Sequence, residues 1–132
     1  MPSPPQAVMA RSQVAQIYRS RLKGIDELSF YDLPPHVRNS HNYFVVQIDK
    51  SSRVSRDQLN DQLKAFNVFT RRYFYPLCSE FSFYRDMPSS RPENLKVAYR
   101  ALREVLCLPF YGKLGVTNAH RVCDMIEYVM SA

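Results

Sequence analysis

The spacing of apolar positions changes along this chain from helical to alternating and back. Val14, Ile17, Tyr18 and Leu22 recur at helical intervals and predict a helix with one apolar stripe. Arg19, Arg21 and Lys23 stand near its C-terminal end, and Gly24 is placed to accept a left-handed stop. Before it, "MPSPPQAVMA", Met1 to about Ala10, is proline-rich and lacks periodicity, so residues 1–10 read as a loose tail. "ELSFYDLPP" follows as a short extended piece closed by Pro34 and Pro35, which cannot continue a ladder. The β-branched and aromatic run "NYFVVQID", Asn42 to Asp49, predicts a strand.

Ser55 with Gln58 forms a capping-box pattern, and Leu59, Leu63 and Phe66 line one side of a helix predicted to end near Asn67. "VFTRRYFYPL" predicts a second strand, whose alternation sends Thr70, Arg72 and Phe74 to one face and Arg71, Tyr73 and Tyr75 to the other. Ser90 with Glu93 repeats the capping-box pattern ahead of Leu95, Ala98, Leu102 and Val105, which are spaced for burial on a third helix. "VLCLPFYG", Val105 to Gly112, reads as a short buried strand, and Thr117 is placed to cap a last helix with Val122, Met125, Ile126 and Val129 on its apolar side. Helices and strands thus alternate, and such an order predicts a small sheet covered on one face by helices, a two-layer sandwich. The uncovered face would carry arginine and tyrosine, which invites cover from outside the chain.

Composition narrows the setting. A chain of 132 residues suits one domain with an adequate core. With 45% hydrophobic and 23% charged residues it is globular in composition, and no apolar run approaches membrane-spanning length. The N-terminal stretch lacks the charged and apolar regions of a signal peptide, so a cytoplasmic protein is the simplest reading. The net charge of +6 raises nucleic-acid binding, but the basic residues are scattered and interleaved with Asp and Glu rather than gathered in a stripe. Cys78, Cys107 and Cys123 show no C-x-x-C spacing and read as small hydrophobes in a reducing compartment. His36, His41 and His120 offer no two ligands one helical turn apart, so no metal site is predicted. No phosphate-binding loop, dinucleotide turn or nucleophile elbow occurs, and "YGKLG" reads as a turn; no catalytic residue is assigned. The concentration of Arg and aromatic residues in "TRRYFYPL" leaves two readings open: core rings beside solvated arginines, or contacts to a ligand or partner.

Taken in order, "AQIYRSRLKGI", "HNYFVVQID", "SRDQLNDQLKAFNVFTRRYFYPL" and "VLCLPFYGKL" resemble the C-terminal part of pyridoxal-phosphate-dependent sugar-nucleotide aminotransferases of the DegT/DnrJ/StrS type. The match runs from about Arg11 to the C-terminus at family spacing. It implies an α+β two-layer sandwich over residues 11–132, a small, mostly antiparallel three-stranded sheet with helices packed on one face, as in the C-terminal small domain of fold-type I aminotransferases.

The same resemblance implies a large domain that holds the cofactor phosphate, an acid for the pyridine nitrogen and the Schiff-base lysine. Lys23, Lys50, Lys64, Lys96 and Lys113 all fall in the C-terminal segments, and none aligns with that lysine. It therefore implies no cofactor in this chain, pyridoxal phosphate in the intact enzyme, and a severed small domain that is inactive alone. Its partners would be a large cofactor-binding domain or the second subunit of an aminotransferase dimer, and a nucleotide-sugar substrate. The reaction implied is amino transfer from glutamate to a dTDP-linked keto-6-deoxyhexose, in deoxysugar synthesis for O-antigen or another polysaccharide. Arg71, Arg72, Tyr73 and Tyr75 are the implied substrate contacts, since guanidinium groups suit diphosphate and rings suit sugar or base faces. Two alternatives stand beside this reading: half of a split enzyme completed by a separate large domain, and a basic nucleic-acid-binding module.

Overall fold

A computed structural model describes residues 4–132. Helix α1, Pro4–Leu22, reaches well into the stretch read as a loose tail; residues 1–3 of that stretch lie outside the described residues. Proline lacks an N–H that the first helical turn leaves unpaired in any case, so Pro4 and Pro5 are tolerated there. The first half of α1 packs against the turn at Gly112, where an added Cβ would lie 3.6 Å from that of Ala10. Strands β1, Leu28–Ser29, and β2, Val45–Ile48, are followed by helix α2, Arg56–Ala65. Helix α3, Lys96–Glu104, runs directly into strand β3, Val105–Cys107, and helix α4, Gly115–Ser131, ends the chain.

The three strands form one antiparallel sheet in the order β1-β2-β3. Register pairs Leu28 with Ile48 and Val46 with Leu106, all buried on the face that meets the helices. On the other face Val45 stands opposite Cys107, and Gln47 opposite both Val105 and Ser29. The apolar stripes read from the sequence close the core: Val14, Tyr18 and Leu22 of α1, Leu59 and Leu63 of α2, and Val122, Ile126 and Val129 of α4 are all buried. Tyr18 is fully buried, meets Phe44 edge-on at 5.1 Å and donates its hydroxyl to the Pro109 carbonyl at 2.6 Å. Between α1 and α4, the Arg21 guanidinium donates to Asp124 at 2.7 Å and Glu127 at 2.8 Å.

The capping box of α2 is present: Ser55 Oγ accepts from the Gln58 N–H, and Gln58 Oε1 accepts from the Ser55 N–H. Phe66 closes that helix and Asn67 follows at φ 62°, a left-handed stop of the kind Asn tolerates. Phe66 does not join the core stripe; it is exposed and lies edge-on to Tyr128 at 5.8 Å.

Three local expectations are corrected. "VFTRRYFYPL" is not a strand: Arg71 alone bridges Cys107, and the third strand of the sheet is Leu28–Ser29. β3 is short, so its free edge offers Arg71 a partner and little more, and Pro76 has no N–H for a ladder. The Ser90–Glu93 pattern does not start a helix; single 3-10 turns at Pro88–Ser90 and Pro92–Asn94 precede α3, whose first-turn cap is Leu95 without a side-chain bond. Arg91 is extended at ψ 140°, because a residue before proline is disfavoured in the helical region. Thr117 does not cap α4 either, since the turn Gly112–Leu114 feeds the helix at Gly115 and leaves Thr117 inside it.

Candidate functional site

The chain leaving α2 is steered along the free edge of β3 by a series of fixed contacts. After Asn67, the Val68 N–H returns to the Leu63 carbonyl at 3.0 Å. The Thr70 hydroxyl donates to Asn60 Oδ1 at 2.7 Å, and Arg71 exchanges both backbone hydrogen bonds with Cys107, at 3.0 and 2.8 Å. Arg11 of α1 donates to the His41 carbonyl at 2.6 Å and the Ser40 carbonyl at 3.2 Å. His41 is left-handed at φ 52°, with its N–H on Asn39 Oδ1 at 2.8 Å, and this arrangement aims Asn42 and Tyr43 into the same space. Burial, and then the charges of Arg11 and Arg19, hold the His41 imidazole below its usual pKa, so it is neutral near pH 7.

The result is a cleft of about 780 Å³ between the 66–73 segment, the β3 edge with its continuation to Tyr111, and α4. Six rings line it: Tyr43, Phe66, Phe69, Tyr73, Phe110 and Tyr111. Three carboxamides, Asn42, Asn67 and Asn118, and two guanidinium groups, Arg71 and Arg121, supply the polar groups of the wall. Among the described residues, no Asp, Glu or Lys lines it. Burial pushes the Cys107 thiol up, so at neutral pH it packs as a neutral thiol.

The four residues singled out from the sequence separate here. Arg71 and Tyr73 both line the cleft, with the Arg71 guanidinium 5.9 Å from the Tyr73 ring centre. Tyr73 is half-buried, edge-on to Tyr43 at 5.5 Å and stacked on Phe74 at 5.3 Å. Arg72 instead turns to α2 and donates to Asp57 at 3.2 Å, while Tyr75 stands 75% exposed outside the cleft. Burial alone would raise the Asp57 carboxyl; hydrogen bonds from Arg56 and Arg72 outweigh it and hold the group below the usual carboxylate range. Sequence reasoning missed Asn42, Tyr43, Phe110, Tyr111, Asn118 and Arg121 as site residues. For Asn42, Tyr43, Phe110 and Tyr111 the signal was the density of rings in "HNYF" and "LPFYG", where they were counted only as strand residues; Asn118 and Arg121, on the last helix, carried no such signal.

A second groove, of about 480 Å³, lies between the turn after β2 and α3, and includes Lys50, Arg56, Arg100, Arg103 and Glu104. Most of its charge is internally paired. The nearly buried Arg56 donates to Asp57 at 2.8 Å and to the Val105 carbonyl at 2.8 Å. Buried Glu104 accepts from Gln47 at 2.6 Å and Arg100 at 3.1 Å. Those bonds, Gln47 first, hold the Glu104 carboxyl below its usual range against the upward push of burial.

Pyridoxal phosphate, implied by the sequence resemblance, asks for a lysine amine, a phosphate cradle and an acid facing one another. This chain's side chains do not fit it. The cleft holds neither lysine nor carboxylate, and all five lysines are exposed elsewhere. Among the described residues no three His, Cys, Asp or Glu side chains gather as a metal would require, and no helix is long and apolar enough to cross a membrane.

Comparison with known proteins agrees with this architecture. The model of the DegT/DnrJ/EryC1/StrS aminotransferase family matches residues 4–127. The dTDP-4-amino-4,6-dideoxy-D-glucose transaminase of Escherichia coli is 34% identical over 109 residues, 83% of this chain and 29% of the relative. The transaminase of the same name from Shigella dysenteriae is 31% identical over 121 residues, 92% of this chain and 30% of the relative. Among solved structures, that of DesI in the presence of its TDP-sugar product superposes with a TM-score of 0.81 at 29% identity, covering 96% of this chain and 32% of DesI. The chain thus spans about three-tenths of the length of the relatives it matches. It belongs to the DegT/DnrJ/EryC1/StrS aminotransferase family.

Proposed function

We propose that this chain serves as the small domain of a pyridoxal-phosphate-dependent sugar-nucleotide aminotransferase, moving an amino group from glutamate to a dTDP-linked keto-6-deoxyhexose. The observation that carries this reading is the ring-lined cleft with Arg71 and Tyr73 in its wall, set in a fold that matches transaminases of dTDP-linked amino sugars along most of its length. In this reading the lysine, the phosphate cradle and the acid come from a cofactor domain beyond these residues, and the present chain binds, orients and excludes water. Arg71 faces the diphosphate, and Tyr73 offers its ring to sugar or base. Arg72 and Tyr75, outside the cleft, meet the cofactor domain or the second subunit of the dimer.

The test is amino transfer from glutamate to a dTDP-4-keto-6-deoxyhexose, measured for the chain alone and for the chain combined with the cofactor domain of the E. coli relative. Turnover is expected in the combination. With pyridoxal phosphate the lone chain is expected to give neither turnover nor a stoichiometric lysine adduct trapped by borohydride. Turnover by the lone chain, or such an adduct, overturns the reading.

A further inference from the structure

Arg71 and Arg72 are neighbours in sequence, yet the fold gives them different surroundings: Arg71 lines the cleft, and Arg72 bonds Asp57 of α2. The extended stretch that holds them has two nearly equivalent settings. In the structure Phe69, Arg71 and Tyr73 line the cleft. Moved by one residue, Thr70, Arg72 and Phe74 would take those places, again an arginine followed by a ring, because side chains of an extended chain alternate with a period of two. The local sequence therefore does not select the register, and a contact to another element must.

The contacts on the two sides of the stretch differ in their power to select. On the β3 edge Arg71 exchanges backbone hydrogen bonds with Cys107, and backbone groups are alike at every residue. On the α2 side, alternate residues bond to helix positions three apart: the Val68 N–H to the Leu63 carbonyl at 3.0 Å, the Thr70 hydroxyl to Asn60 Oδ1 at 2.7 Å, and the Arg72 guanidinium to Asp57 at 3.2 Å. The first is again a backbone bond. The last joins two exposed side chains, a pair that water screens and that either arginine is long enough to make. The middle bond is specific. Asn60 is buried, so its carbonyl oxygen cannot turn to water for a donor. A shift in one direction brings Phe69 to that level, which has no side-chain donor. A shift in the other brings Arg71, whose side chain is too long for a gap that a threonine hydroxyl closes.

We propose that Asn60 is a positioning residue: through the Thr70 hydroxyl it sets the register of residues 68–73, and so decides that Arg71 and Tyr73, rather than Arg72 and Phe74, line the cleft. The task of the cleft rests on the aminotransferase reading, whereas the register does not.

The experiment compares the chain with Asn60→Ala, Thr70→Val and Thr70→Ser, by amide hydrogen exchange and ring-to-ring nuclear Overhauser contacts. Thr70→Val keeps the shape of the side chain and removes the hydroxyl; Thr70→Ser keeps the hydroxyl. The Arg71 and Cys107 amides report the bridge, and the Leu108 amide, bonded to the Phe44 carbonyl at 3.0 Å, reports the opposite edge of the same strand. In Asn60→Ala and Thr70→Val, exchange at Arg71 and Cys107 should rise about tenfold more than at Leu108, the scale of one buried hydrogen bond. The contact between the Tyr43 and Tyr73 rings, edge-on at 5.5 Å, should weaken in both. Thr70→Ser should restore both readouts. In the enzyme combined with the cofactor domain, Thr70→Val should raise KM for the keto-sugar nucleotide about tenfold and leave kcat within about twofold.

Three results overturn the proposal: equal rises at Arg71, Cys107 and Leu108, which a general loss of stability would give; an unchanged bridge and ring contact in Asn60→Ala or Thr70→Val; or failure of Thr70→Ser to restore them. A fall in kcat with KM unchanged would also count against it, since it would tie the hydroxyl to chemistry rather than to placement. If the combined enzyme shows no amino transfer while exchange behaves as expected, the aminotransferase reading fails and the role of Asn60 stands.

Discussion

Tyr18 and Phe83 are both large rings on a small chain, and the structure treats them in opposite ways. Tyr18 lies in α1 with no exposed surface, its ring on Phe44 and its hydroxyl on Pro109. Phe83 lies in the connection from residue 72 to residue 95 and is 86% exposed, its ring edge-on to Tyr84 at 6.5 Å. The difference extends to the surrounding regions. The layer of α1, α2 and α4 buries its apolar stripes, and between α1 and α4 Arg21 pairs with Asp124 and Glu127. The connection is built of single 3-10 turns, holds Ser90 as its one buried residue, and leaves Phe74, Tyr75, Phe81, Phe83, Tyr84 and Met87 facing outward. Stability thus resides in the helical layer and the sheet, while the connection contributes surface of the kind that another protein covers.

The largest effect that tests this contrast is expected in the core. Leu63→Ala removes a fully buried side chain between α2 and the rest of the layer, and should cost about 2–5 kcal/mol in urea unfolding of the chain. A loss below about 1 kcal/mol would mean that the helical layer is not the stable region.

A medium effect is expected at the end of α3, where the buried Glu104 joins that helix to β2. Glu104→Gln removes the charge that Gln47 and Arg100 bond, and should cost about 1–2 kcal/mol at pH 7. The folded carboxyl lies below its usual pKa, so the stability it contributes is complete above the unfolded value of about 4.3 and is lost as pH falls through the lower folded value. Unfolding free energy should therefore fall in acid more steeply for the native chain than for the variant. Parallel curves would show that this carboxylate is not what the pH dependence reports.

The smallest effect on stability is expected in the connection. Phe83→Ser should change unfolding free energy by no more than about 0.5 kcal/mol, because an 86% exposed ring has little to lose. The same change should reduce self-association of the lone chain in size-exclusion chromatography, since it removes an apolar surface. A loss of stability as large as that of Leu63→Ala would show that the connection folds back onto the core.

Apolar periodicity determined α2, α4 and the second half of α1, because each carries a stripe that one packing face buries, and the β-branched and aromatic run marked β2; the first half of α1 was read as a tail. Ser55 with Gln58 likewise marked the start of α2, a local pattern that needs nothing from the rest of the chain. What the sequence could not settle was pairing. "TRRYFYP" is as suited to a strand as "ELSF" is, and only the tertiary structure decided that β1 fills the edge of β2 while Arg71 alone bridges β3. Strand pairing is a contest between segments distant along the chain, and local propensity does not register the competitor. The site follows the same rule. The motif marked Arg71 and Tyr73, but Arg121 and Asn118 of α4 line the same cleft only through the tertiary packing of the helices and sheet, a proximity that no spacing along the chain contains.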